Sequence, residues 1–388
     1  MKPNNLVALL IAVVLIAIGV ALGISNHQSQ NTRQEAGDAE EAEGILVSIT
    51  KPAASNTEKT DTLNQVALIH DDIGAPAFTS VEKSELQIIR DSLDWSDAPT
   101  PAPELVKTDD YDVYINVSKE YLMYVFDKMG YTGEKIDSGE TTAIPPLLVV
   151  SISKGWSEGE TVQFKKSIFY RVILSLILYE NEAVLRERDK LLSLLEARDD
   201  GSISSTQLGE LNHIAYSYRA ISKESDDPLT EMQIQDLLTR VDIVPASLAL
   251  AQAAHESGYA TSRFAHTANA LFGQWDWSAS AVKPQQQRKG MGNYGIKSFD
   301  QPVDSVRAYI WNLNTHRAYA GFRKERARQR GDATGLFVFD GHKLAGTLTS
   351  YSERGEEYTK ELQGTISYNR LDRADKLRLM KGDPIYFN

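Results

Sequence analysis

The chain has 388 residues, a formal net charge of −12 and no cysteine, so disulfides and lipid attachment through a thiol are excluded. The charge is unevenly spread: residues 26–110 hold 17 acids against 6 bases, a net of −11. The remainder is close to neutral, which argues against nucleic-acid binding and makes the acidic balance uninformative about a substrate.

In chain order, residues 6–24 carry no charge and follow Lys2. That length spans a bilayer and exceeds the apolar core of an ordinary signal peptide. The flanking charge predicts a single-pass inner-membrane anchor with the rest of the chain in the periplasm. Cleavage of 1–25 as a secretory signal is the alternative, since Ala21-Leu22-Gly23 resembles a small-x-small processing site. Residues 26–108, rich in Asp, Glu, Thr, Ser, Ala and Pro, read as a disordered linker. Treated as a flexible coil it has an r.m.s. span of roughly 50 Å. A short helix is expected inside it over 81–93.

Residues 109–240 read as a helical domain. Ser118 suits the cap of a helix running to Gly130, and Pro145-Pro146 punctuates the connection. One long helix or two abutting ones are predicted over 162–196; the apolar stretch 167–179 is too short for a bilayer and contains Arg171, which makes it a core helix. Ser204 with Gln207 and Thr230 with Gln233 form two capping-box patterns, each opening a helix.

The part over 241–330 carries the chemistry. Pro245 and Gly258 bracket an Ala-rich helix, apolar nearly all round, on which Gln252 and Glu256 share one face. A buried carboxyl beside a cleft keeps its proton to higher pH and can hand it to a leaving oxygen; the alternative is a helix-end Glu that faces water or pairs with Arg263. Between residues 270 and 299 the helical signal fades among Gly273, Gly290, Gly292 and Gly295, predicting a small β-hairpin lobe. Aromatic faces stack on sugars and amides read acetamido groups, so Phe272, Gln274, Trp275, Trp277 and Tyr294 are substrate-binding candidates together with Gln252 and Asn269. From Pro302 an amphipathic helix follows, for which Asp300 and Asp304 supply N-terminal charge. The basic run Arg317, Arg323, Lys324, Arg326, Arg328 and Arg330 reads as a solvated helix side, with attraction of an anionic polymer as the functional option. Residues 331–388 are expected to form two helices separated near Ser352.

The motifs AQAAHESGYATSRFA, NALFGQW and FDQPVDSVRAYIWNLNTHRAYAGFR, with FKKSIFYRVILSLILYENEAVLRERDKLL before them and YSERGEEYTKELQGTISYNRL after, resemble the Bax-type branch of the glycoside hydrolase family 73 glucosaminidases. The likeness extends over most of residues 145–371. It implies a mainly α, lysozyme-like fold with a small hairpin lobe, and an endo-β-N-acetylglucosaminidase that cuts peptidoglycan glycan strands. By motif, Glu256 matches the family's catalytic acid, Tyr319 a tyrosine near the cleft, and Asn269 the Asn before the LFG turn, expected to act as a structural hydrogen-bonding group. One departure stands out: Gly295 occupies the place where the family pattern has a second carboxylate. Three routes follow, namely substitution by Asp276, Asp300 or Asp304, assistance from the substrate's own 2-acetamido group, or weak activity. A lytic transglycosylase or muramidase, and a glycan-binding scaffold without turnover, are the competing functions. HESGY lacks the second histidine of a zinc-protease helix because residue 259 is Tyr, so neither metal nor organic cofactor is expected.

Overall fold

The computed structural model describes residues 83–108, 111–284 and 294–388. The expected membrane segment 6–24 and the linker up to residue 82 lie outside the described residues. Among the described residues no helix is long and apolar enough to cross a membrane.

The first helix, α1 (Glu85–Ser92), starts where the Ser84 hydroxyl accepts from the Gln87 N–H. Strands β1 (Glu104–Lys107) and β2 (Asp112–Ile115) follow, then α2 (Lys119–Lys128), capped by Ser118 as its sequence predicts. Next come α3 (Gly133–Ser138), β3 (Ala143–Ile144) and β4 (Leu147–Val149). The long apolar helix forms as a single element, α4 (Val162–Asp199). Both capping boxes are present, at the starts of α5 (Ser205–Ser217) and α6 (Glu231–Arg240). The Ala-rich helix is α7 (Ala246–Ser257), followed by the short α8 (Arg263–Ala268). The hairpin consists of β5 (Trp275–Asp276) antiparallel to β6 (Gly295–Ile296), and its glycines 290 and 292 lie outside the described residues. Then come α9 (Pro302–Thr315), α10 (Ala320–Arg330), α11 (Gly341–Ala345) and α12 (Glu356–Tyr368), the last two separated around Ser352 as expected. The C-terminal region adds a 3-10 turn, Leu371–Lys376, and two strands, β7 (Arg378–Leu379) and β8 (Ile385–Phe387), which the helical reading of this region did not include.

Those last strands correct the domain boundaries. β8 inserts between β2 and β4, parallel to both, giving a four-stranded sheet ordered β1-β2-β8-β4; β7 pairs with β3. Residues 83–108, assigned to the linker by composition, are therefore folded: β1 forms the sheet edge, and Glu85 grips Arg378 through two hydrogen bonds of 2.8 and 3.0 Å. Composition missed this because the groups that hold the segment, the Arg378 side chain and the Lys381 carbonyl that accepts from the Leu86 N–H, lie at the far end of the chain and leave no local signal.

One continuous apolar core runs from Leu122 and Phe126 through α4 and α7 to Phe387, and a second cluster joins the end of α4 to α5 and α6. The expected divisions at 240 and 330 thus do not separate cores. Helix α7 is the hub. Every residue from Ala246 to Ser257 is buried except His255, because five alanines let α4, α11, α12 and the 371–376 turn close on it from all sides.

Candidate active site

Helix α7 is fixed at both ends by distant parts of the chain. Pro245 has no side-chain cap to offer, so the Ser247 N–H and hydroxyl bind the Asp375 carboxylate instead, at 2.8 and 2.6 Å. The connection before the helix is stitched by arginines. Arg326 donates to the carbonyls of Thr239, Asp242 and Ile243 at 2.8 to 2.9 Å and to Asn314 Oδ1 at 2.7 Å. Arg188 reaches the Leu238 and Val241 carbonyls, and Arg330 forms a two-pronged pair with the Asp242 carboxylate at 2.5 and 2.6 Å.

This corrects the reading of the basic run as a solvated face for three of its six members: Arg323, Arg326 and Arg330 are buried, while Arg317, Lys324 and Arg328 are exposed as expected. Spacings of three and four place the buried three on one side of α10, where Arg326 meets the carbonyl-rich end of α6, Arg323 the end of α9 and Arg330 the Asp242 carboxylate.

At the other end, Gly258 takes the left-handed conformation (φ 58°) that stops α7, and Tyr259 and Ala260 continue with φ of 57° and 58°. Non-glycine residues in that region are strained, and tertiary contacts hold them there: the Ser257 hydroxyl accepts from the Ala260 N–H at 2.8 Å, and the Trp156 indole donates to the Ala260 carbonyl at 3.2 Å.

Glu256 sits in the last turn before this reversal, 1% exposed. It neither faces water nor meets Arg263, whose guanidinium instead donates to the Lys283 carbonyl. Its Oε1 accepts a hydrogen bond of 2.8 Å from the Tyr358 hydroxyl, while Oε2 is buried without a hydrogen-bond partner among the described residues. Burial pushes its pKa up to about 7, against the opposing pull of His255 and the Tyr358 hydrogen bond.

The Glu256 charge acts on four phenols, Tyr309, Tyr319, Tyr351 and Tyr358, each raised above the ordinary tyrosine range first by burial. They remain neutral donors near neutral pH. Their rings form a packed wall: Tyr351 stacks on Tyr358 at 5.6 Å, Tyr319 lies 5.8 Å from Tyr351, and Phe272 stacks on Tyr309 at 3.9 Å. Beside them His255 forms an ion pair of 3.1 Å with Glu361, which also binds Arg354. Burial opposes the charge on His255, but Glu361 and Glu256 raise its pKa overall.

Glu256 is thus not open to solvent, and the cavities of about 350, 490 and 190 Å³ that open elsewhere among the described residues do not include it in their linings.

Several substrate-binding candidates are likewise enclosed. Gln252 (0% exposed) bridges Tyr309 and Tyr358 inside the protein, and Phe272 and Tyr294 are core residues. Their positions follow from the apolar surround of α7 and the packing of the hairpin on it. Asn269, at φ 49°, ends α8 and donates to the carbonyls of Phe299 and Asp300, the structural role expected of it. Gln274 ties the hairpin to α9 by donating to the Ser305 carbonyl. Trp275, half-buried and stacked on Tyr294 at 4.9 Å, and its neighbour Trp277 keep accessible ring surface.

None of the stand-in acids acts on Glu256, on which His255 and Tyr358 are the groups that bear. Asp276 accepts from the N–H and hydroxyl of Ser278 and so builds the hairpin turn. Asp304 closes the start of α9 by accepting from the Gln301 N–H, and also pairs with Arg307 at 2.7 Å; Asp300 is exposed. Gly295 has a packing reason of its own. A Cβ there would stand 2.8 Å from both the Ala281 Cβ and the Val282 carbonyl oxygen, so this strand leaves no room for any side chain.

Residues 232–371 match the family described as Glucosaminidase, mannosyl-glycoprotein endo-beta-N-acetylglucosaminidase. The chain is also 34% identical over 203 residues to Protein bax of Escherichia coli (strain K12), a match covering 51% of this chain and 67% of that protein. The chain belongs to the Bax-type glucosaminidases. No solved structure matches it. The glucosaminidase span contains Glu256 and all four phenols, leaves all of the four-stranded sheet outside, and makes this a glycoside hydrolase domain. Three of the tyrosines around the acid, Tyr309, Tyr351 and Tyr358, were not among the sequence candidates. Tyr309 is legible only as a member of the apolar face of α9, and the other two lie in YSERGEEY, which carries a resemblance but no spacing that points to residue 256.

Proposed function

We propose that this chain is a peptidoglycan hydrolase, an endo-β-N-acetylglucosaminidase in which Glu256 is the general acid. The observation that carries the reading is a single buried carboxyl, with a pKa raised to about 7 and one oxygen unpartnered among the described residues, inside a glucosaminidase domain. Such a group holds its proton at neutral pH and delivers it to the leaving glycosidic oxygen. Tyr319 stands in the same phenol wall and supports the positive charge that develops on the sugar. The nucleophile is the substrate's own 2-acetamido carbonyl, because Gly295 admits no side chain and Asp276 and Asp304 are engaged in turns and caps. It attacks the anomeric carbon as the glycosidic bond breaks; the resulting Glu256 carboxylate then takes a proton from the water that completes hydrolysis. Trp275 and Trp277 offer ring faces to the glycan. The uncharged stretch at 6–24 supports an inner-membrane anchor with this domain in the periplasm, and cleavage after it gives a secreted form of the same enzyme.

A second reading has its own support. An enclosed Glu256 with no acting second carboxylate also suits a wall-glycan scaffold without turnover. Digestion of purified sacculi by the full chain, with mass identification of the fragment ends, separates these. Reducing N-acetylglucosamine ends, lost in Glu256→Gln, are expected. Anhydro-muramic or reducing muramic ends identify a lytic transglycosylase or a muramidase, and binding to sacculi without new ends identifies the scaffold.

A further inference from the structure

Gln252 lies one turn before Glu256 on the same face of α7, wholly enclosed, with no route to a substrate. A buried amide in that position must be satisfied by protein groups, and here each of its polar atoms has a specific one. The Tyr309 hydroxyl donates to Gln252 Oε1 at 2.7 Å, Gln252 Nε2 donates to the Tyr358 oxygen at 3.0 Å, and the Tyr358 hydroxyl donates to Glu256 Oε1 at 2.8 Å. The three bonds run head to tail in one direction. The Tyr309 hydroxyl donates to the amide oxygen, and an amide held that way turns its Nε2 to Tyr358. With the Tyr358 oxygen already accepting from Nε2, its own hydrogen is directed at Glu256.

We infer that Gln252 is a positioning residue: held by Tyr309, it keeps the Tyr358 hydroxyl hydrogen on Oε1 of Glu256, so that the proton available for transfer stands on Oε2. This rests on the reading of Glu256 as the acid and adds to it a reason why that proton has a defined place. Oε2 is the oxygen left unpartnered among the described residues, so the relay and the vacancy select the same atom. Only an amide serves at residue 252. A carboxylate there accepts from both tyrosines, pulls the Tyr358 hydrogen away from Glu256 and places a like charge one phenol away; an apolar side chain leaves two buried hydroxyls without their partner.

The test uses the full chain on purified sacculi, following turnover against pH together with thermal melting. Gln252→Glu keeps the shape of the side chain. It is expected to move the basic limb of the kcat profile upward by about one pH unit and to lower turnover about tenfold, because an acid deprived of its donor and facing a like charge loses its proton later and gives it up less readily. Tyr309→Phe, which frees the amide to turn, is expected to shift the limb the same way by less. A role in packing alone lowers the melting temperature and leaves the limb in place. A Gln252→Glu protein that melts near the wild type with a superimposable profile overturns the inference. Should Gln252→Glu fail to fold, Tyr309→Phe decides it by the presence or absence of the shift. Full turnover in Glu256→Gln is a different failure: it removes the acid assignment, whatever Gln252 does.

Discussion

At the front of α7, Asp242 is buried with Arg330 on both its oxygens and Arg188 3.7 Å away, while Arg326 covers the neighbouring carbonyls. At the back of the same helix, Glu256 is just as buried, yet its direct contact is a phenol and the cation that acts on it is the titratable His255. The two clusters flank one helix, share a degree of burial and differ in compensation. A buried acid matched by guanidinium groups serves architecture; an acid matched by neutral donors keeps a proton it is able to give away. The proposed chemistry resides where the compensation was withheld.

The strongest way to break that contrast is substitution at its two acids' partners and at the acids themselves. Glu256→Gln should lower release of reducing ends from sacculi by about 10²- to 10⁴-fold, the range of a general acid, while the melting temperature holds. Removing a partner at the front should do the reverse. Arg330→Ala leaves Asp242 buried without its two hydrogen-bonded contacts and with the longer Arg188 pair of 3.7 Å, and a loss of about 3–5 kcal/mol of stability is expected in denaturant unfolding. If the two substitutions exchange these signatures, the division between architecture and chemistry is mistaken.

Smaller effects sharpen the picture. Gly295→Ala should cost about 1–3 kcal/mol in the same unfolding assay, since its Cβ meets backbone that has nowhere to go. Neutral stability there would reopen that place for a side chain and, with it, for a second carboxylate. The last expectation concerns pH. Glu187, Glu256 and Asp375 are each raised by burial to about 7 from ordinary values near 4, so between those values the folded chain binds more protons than the unfolded one. Their contribution to stability is complete below the unfolded pKa values and is lost as pH rises through about 7. Melting temperatures should therefore be higher near pH 5 than near pH 8, with a shallower slope in Glu256→Gln. Turnover should fall over the same upper range as Glu256 gives up its proton to solvent.

Much of this was legible in the residues because it depends on near neighbours. The two capping boxes, the helical character of α4 and the Gly258 stop all rest on interactions within a few positions, and glycines between aromatic residues marked the hairpin between Trp275 and Ile296. Glu256 itself stood out because it is an acid on an otherwise apolar helix. The misreadings share an opposite cause. Arg326 and Arg330 look solvated until the end of α6 is placed under them, and Glu85 looks like linker charge until Arg378 arrives from 293 residues away. Gln252 looked like a sugar ligand because an amide on the acid's face has the right chemistry, and only the positions of Tyr309 and Tyr358 show that the face is sealed.

The chain's own order of residues determined its helices, their caps, the apolar hub at α7 and the presence of an acid in its last turn, since helical periodicity and capping are decided over a single turn or two. Tertiary structure alone decided the environment that gives that acid its character. The phenols come from α9, the turn before α10, and the region around α12, and the arginine clasp comes from α4 and α10. Desolvation and hydrogen-bond direction are properties of what surrounds a group in space, and no stretch of sequence around residue 256 contains them.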